Sequence, residues 1–186
     1  MSYTIFVYRV VVKAAKAFKN MKQLICAFFL SISILSATAQ NDSLPPYKRY
    51  PTVPPIQLQQ LDSTTLTKEM LKKHQPVILM FFSPLCDHCK HQTQDMLARM
   101  DDLKKYQIIL ASYQPADEIE AFYKEFKLEK YSNIRIGRDT KFLLIPFFRM
   151  NSLPYLALYD KNGSLVTTFE GNVKVDKLLE SFGDKH

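Results

Sequence analysis

Two cysteines separated by two residues, Cys86 and Cys89, stand in the segment FFSPLCDHCK, directly after an apolar run and with Asp87 and His88 between them. Three chemistries use that spacing: a structural disulfide, a metal clip and a redox pair. The thiolate, not the thiol, is the nucleophile, and a place at a helix N-terminus or in Cys-x-x-Cys lowers a cysteine pKa to about 3.5–7.5. VILMFF reads as a strand and the residues from Cys86 on as a helix, so unpaired N–H groups and the positive dipole end point at that sulfur. Cys86 is thus the expected attacking residue, and Cys89, one turn deeper, resolves the mixed disulfide. A cationic His88 favours the Cys86 thiolate, while Asp87 opposes it.

The competing chemistries fit the residues less well. A bridge closing so short a loop removes little chain entropy. A metal site would draw on Cys86, His88, Cys89 and His91, but there is no second Cys-x-x-Cys, and adjacent helical residues point in different directions. A thiol peroxidase is a third reading. Ser83-Pro84-Leu85-Cys86 has the Ser/Thr-x-x-Cys form, with Arg135 or Arg149 as its cation, although Leu79 stands where that site carries a proline. A non-catalytic module holding a polypeptide or a metal ion such as copper is the rival outside enzymology. The preferred reading is exchange with protein thiols and disulfides, maintained by an upstream redox partner. It needs neither cofactor nor resident metal.

The elements that must position the pair lie in one domain, since 186 residues suit a single core. The net charge of +7 suggests nucleic acid or membrane only until the charges are located. Arg9, Lys13, Lys16, Lys19 and Lys22 precede the first acid, Asp42, so the chain after Ala39 carries 20 basic against 18 acidic side chains. That balance, with no basic stripe among aromatics, excludes a nucleic-acid partner. Residues 1–39 read as a leader: a signal peptide over 21–39, with an apolar stretch and Ala37-Thr38-Ala39 as cleavage site, preceded by an upstream extension, 1–20, with translation starting at Met21. Export, to a periplasm or the exterior, is the expectation, and a membrane enters only through an uncleaved leader. Cys26 leaves with the leader, so Cys86 and Cys89 have only each other as intramolecular partners.

Residues 40–55 form a Pro-rich arm or linker, expected to be extended, and 56–186 the domain. IQLQQLD alternates like an edge strand, and STTLTKEMLKK opens like a helix. VILMFF is a central strand buried on both faces, helix 86–104 follows, and YQIILASY is the next buried strand. PADEIEAFYKEFKL reads as a helix, NIRIG as a short strand, and RDTKFLLIPFFRM as helical up to Pro146. PYLALYDKNGSLVTTFEG forms a hairpin around Asn162-Gly163, and VKVDKLLESF closes the chain as a helix. Strands alternating with helices imply an α/β sandwich with a mixed sheet.

LQQLDSTTLTKEMLKKHQPVILMFFSPLCDHC followed by RMNSLPYLALYDKNGSLVTTFEG resembles the thioredoxin fold, and specifically the TlpA-like disulfide reductase and redoxin group, over about residues 56–183. The resemblance implies a thioredoxin-like three-layer α/β/α sandwich with a mixed central sheet and a helix-strand insert, PADEIEAFYKEFKLEKYSNIRIG. It also implies that Pro154 in NSLPY is a cis-proline and that Leu153 and Pro154 pack beside Cys86 and offer backbone to a polypeptide. Two departures matter. Leu85-Cys86-Asp87-His88-Cys89 replaces Trp-Cys-Gly-Pro-Cys, a histidine before the second cysteine being reminiscent of oxidising periplasmic members. Met80 stands where thioredoxins carry a buried aspartate that deprotonates the resolving thiol, which leaves Asp87 or water as the expected acceptor.

Overall fold

The computed structural model describes residues 44–184. The expected leader, with its cleavage site and alternative start, lies outside the described residues. In chain order the elements are α1 (Pro46–Arg49), β1 (Gln57–Gln59), β2 (Thr65–Thr67), β3 (Val77–Phe81), α2 (Asp87–Ala98), α3 (Met100–Leu103), β4 (Gln107–Ser112), α4 (Ala116–Glu125), β5 (Ile134–Arg138), α5 (Leu144–Phe148), β6 (Tyr155–Tyr159), β7 (Leu165–Glu170) and α6 (Val175–Ser181). One seven-stranded sheet runs in the order β2-β1-β5-β4-β3-β6-β7. Its centre is parallel, with β3 beside β4 and β4 beside β5. Antiparallel β6 pairs with β3 and β7 with β6 on one side, and β1 and β2 complete the other.

The central strand shows why an uninterrupted apolar run is needed. All five residues of β3 are buried. Ile78, Met80 and Phe82 face a core that includes Cys89, Met96, Ile119, Phe122, Leu178 and Leu179. Val77, Leu79 and Phe81 face the opposite core, with Leu144, Phe148, Tyr155 and Tyr159. Helices α2, α4 and α6 thus cover one face, α5 and the arm cover the other, and the sheet lies between, the expected three-layer α/β/α sandwich. The segment α4–β5 is the helix-strand insert.

Several local expectations are corrected. IQLQQLD gives β1, but β1 lies one strand in from the edge, because STTLTKEMLKK forms β2 and a 3-10 turn at Lys68–Met70 instead of a helix. Leu66 is fully buried between two β-branched threonines, and that period of two outweighs the capping look of Ser and Thr. β1 then passes close over β5: a Cβ on Gly137 would meet Leu58 Cβ at 2.9 Å, so only glycine fits there. Helix 86–104 divides at Arg99, whose φ of −115° and ψ of 27° separate α2 from α3.

Pro146 does not end a helix; it is the third residue of α5, where its missing N–H is one that has no intrahelical acceptor. The buried Asp139 carboxylate accepts from Leu143 and Leu144 N–H at 3.1 and 2.9 Å and organises that start. In the β6–β7 turn only Gly163 has positive φ, 78°, while Asp160 accepts from Asn162 and Ser164 N–H, both at 2.8 Å. The arm is not extended throughout, since it holds α1. Its later part pairs Thr52 with Ser164, and Val53 is buried in the second core.

Candidate active site at the N-terminus of the central helix

β3 delivers the chain to the site. Phe82 N–H pairs with the Ala111 carbonyl at 2.9 Å, which holds the strand end beside β4, and Cys86 N–H closes a turn on Ser83 O at 3.1 Å. Cys86 is then the N-cap of α2. Its backbone is extended, at φ −86° and ψ 115°, and its Sγ accepts the Cys89 N–H at 3.3 Å. A cap position normally filled by a hydroxyl or carboxylate oxygen is filled by sulfur, so helix N–H density falls on that atom. Cys86 is half-buried and Cys89 is buried, and both are free thiols. Burial pushes the Cys89 pKa upward, reinforced by the Cys86 side chain.

The environment of Cys89 is apolar. Met80, fully buried on β3, belongs to the same core as Cys89 and offers it no proton acceptor. Thr93 Oγ donates to Cys89 O at 2.9 Å and uses its hydroxyl there. Asp87 and His88 are both exposed on the first turn, and no hydrogen bond or ion pair joins either side chain to Cys86. Asp87 complements the helix N-terminus.

Two residues with no role assigned from the sequence hold this helix. Gln92, completely buried, donates to Val173 O at 3.0 Å and accepts from Val173 N–H at 2.7 Å. Asn172 Nδ2 donates to His88 O at 2.8 Å. The loop after β7 is thereby fastened to the first two turns of α2. A usable signal was present: Cys89, Gln92, Thr93 and Met96 recur at helical spacing, so an amide on the buried face needs a buried partner.

The Leu153–Pro154 peptide is cis, and Pro154 is buried at the start of β6. Gly171 N–H donates to Pro154 O at 2.8 Å, and Asn151 and Ser152 side chains reach Glu170 at 3.4 and 3.3 Å, which fixes the approach to the proline. Leu153 touches both cores, and Cys86 packs on one of them. Beside Leu153 an apolar hollow of about 140 Å³ is lined by Phe81, Tyr113, Ile145 and Met150. Phe148 belongs to the core, with Phe147 edge-on against it at 4.9 Å. Leu85, where thioredoxins carry tryptophan, is 73% exposed.

Arg135 is on β5, two strands from β3, and donates to Met70 O at 3.2 Å. Arg149 is an exposed residue with positive φ closing α5. Lys90 bridges to Glu125 at 3.1 Å, joining α2 to α4, and His91 is exposed. Among the described residues no three His, Cys, Asp or Glu side chains converge as a metal site.

A cysteine capping the helix that follows a central strand, with a cis-proline opening the next antiparallel strand, defines a thioredoxin-type architecture. The model of the thioredoxin-like domain family matches residues 65–185, and the chain belongs to that family. Among solved structures, it is similar to a secreted disulfide oxidoreductase of Mycobacterium tuberculosis (14% identity, 69% of this chain and 95% of that one, TM-score 0.58). It is likewise similar to a thiol-disulfide oxidoreductase from Bacteroides fragilis (16%, 69% and 98%, TM-score 0.58). A third is an exposed lipoprotein thioredoxin of Streptococcus pneumoniae (22%, 69% and 97%, TM-score 0.55). At these identities the likeness establishes the fold. No curated protein matches the sequence.

Proposed function

We propose that this chain is an exported thiol–disulfide oxidoreductase that exchanges disulfides with protein substrates. The observation that carries the reading is the half-buried Cys86 sulfur at the α2 N-cap, accepting the Cys89 N–H at 3.3 Å, with Cys89 buried behind it. The Cys89 N–H points at Cys86 Sγ, so the sulfur that attacks and is later displaced faces a backbone donor. Cys86 thiolate attacks a substrate disulfide, forming a Cys86–substrate bond and expelling one substrate thiolate. Cys89 then gives up its proton to water and attacks Cys86 Sγ; the Cys86–Cys89 bond forms and the second substrate thiolate leaves. Two electrons pass to the substrate, and the reverse sequence oxidises a dithiol.

Asp87 and His88, exposed on the same turn, act on Cys86 through the field they set up and not through a direct bond. The exposed Leu85, the hollow beside Leu153 and the backbone before Pro154 suit an extended polypeptide carrying an apolar side chain near its cysteine. Two of the similar structures are described as secreted or exposed, which agrees with the leader pattern over 21–39.

A Cys89→Ser variant is expected to accumulate a mixed disulfide with a disulfide-bonded protein substrate, visible on a non-reducing gel and absent from Cys86→Ser. Equal turnover by Cys86→Ser and the native chain would remove the assignment. N-terminal sequencing of the exported form should begin at Gln40; retention of residues 21–39 would overturn cleavage after Ala39.

A further inference from the structure

A second hollow lies at the other end of the sheet. It opens beside Val77, the first residue of β3, whereas Cys86 follows the last; five strand residues put about 13 Å of rise between the two ends. Its floor is apolar: Val53 from the arm, Leu71 and Val77, all packed in or against the second core. Its volume is about 360 Å³, within the range of small-molecule sites.

The rim is basic. Lys68, Lys72, Lys73 and His74 come from the segment between β2 and β3, and Lys161 from the β6–β7 turn. All five are exposed, and none has a carboxylate within 4.0 Å among the described residues. Asp160, the acidic residue of the lining, commits one oxygen to two turn N–H groups. His74 holds a φ of 59°, which turns the chain tightly so that consecutive lysines border one hollow. The opposite wall is fixed by the arm, through Val53 N–H to Gly163 O at 3.1 Å and Leu165 N–H to Pro51 O at 2.8 Å.

We propose that this hollow is a binding site for a small amphipathic phosphate, its anionic oxygens among the lysines and its apolar part on Val53, Leu71 and Val77. Lysines without a carboxylate partner bordering an apolar floor complement a molecule with both features, and lysines serve phosphate as mobile point charges. The site is separate from Cys86, so ligand occupancy and thiol exchange are independent readouts.

The test is amide chemical-shift titration of the full mature chain with hexyl phosphate, with inorganic phosphate in parallel. Hexyl phosphate is expected to shift residues 71–75 and 160–163 and to bind at least tenfold more tightly than inorganic phosphate. Lys72→Glu/Lys73→Glu and, on the opposite wall, Lys161→Glu should each weaken it about tenfold or more while the rest of the spectrum stays native. Equal affinity for the two phosphates, shifts centred elsewhere, or variants that bind as the native chain would each overturn the proposal. So would binding to phosphatidylglycerol vesicles with no response to hexyl phosphate.

Discussion

Cys89 is the residue whose environment constrains the chemistry most. It sits in the apolar core that also holds Met80, and burial holds its proton well above the ordinary cysteine range. The linkage follows from the sign of that shift: the folded state keeps a proton that the unfolded state releases, so reduced protein loses stability as pH rises above the unfolded value of about 8.5. Tyr155, pushed up to about 12 by burial, adds its own loss only once unfolded tyrosine ionises near pH 10. Between about pH 8.5 and 10, urea denaturation of the reduced protein should show a decline of up to about 1.4 kcal/mol per pH unit that Cys89→Ser lacks. Parallel pH profiles for the two proteins would contradict the burial account. The cysteine pair and its unequal placement, one sulfur at the helix start and one buried a turn further on, were legible in the sequence, because spacing and the strand-to-helix switch define them. Where the side chains of Asp87 and His88 point was not legible, since adjacent helical residues diverge and only the fold decides which face is wet.

At the scale of elements, the helix bearing both cysteines is stapled to the loop after β7 by Gln92. Replacing it with Met keeps the volume but removes the partner of the part-buried Val173 N–H and C=O. The expected cost is about 1–3 kcal/mol in a denaturant titration, from two part-buried backbone groups losing their partner. A loss under about 0.5 kcal/mol would mean that water or another group takes over. The central strands were readable because continuous apolar runs have few alternatives. β2 was not: threonines before Leu66 look like helix caps until a partner strand supplies the ladder. The division of helix 86–104 at Arg99 was equally hidden, with neither glycine nor proline to announce it.

For the whole molecule, the arm from Pro45 belongs to the same compact unit as the sheet. Tyr47 packs at a tilt against Phe148, ring centroids 5.8 Å apart, and Val53 is buried. Deleting the chain through Pro55 should lower stability by about 2–4 kcal/mol, chiefly through lost apolar burial, and shift the urea midpoint down; an unchanged midpoint would make the arm a spacer. Proline content predicted the arm's existence but not its seat, because the surface it covers includes residues about a hundred positions later, such as Phe148 and Ser164. That separation orders events in time. During synthesis the chain appears N-terminus first, and Thr52 has no bridge partner until Ser164 has emerged and the β6–β7 turn has closed. The first segment of the domain to be made is thus among the last to be fastened, and both cysteines have long since left the ribosome when it is.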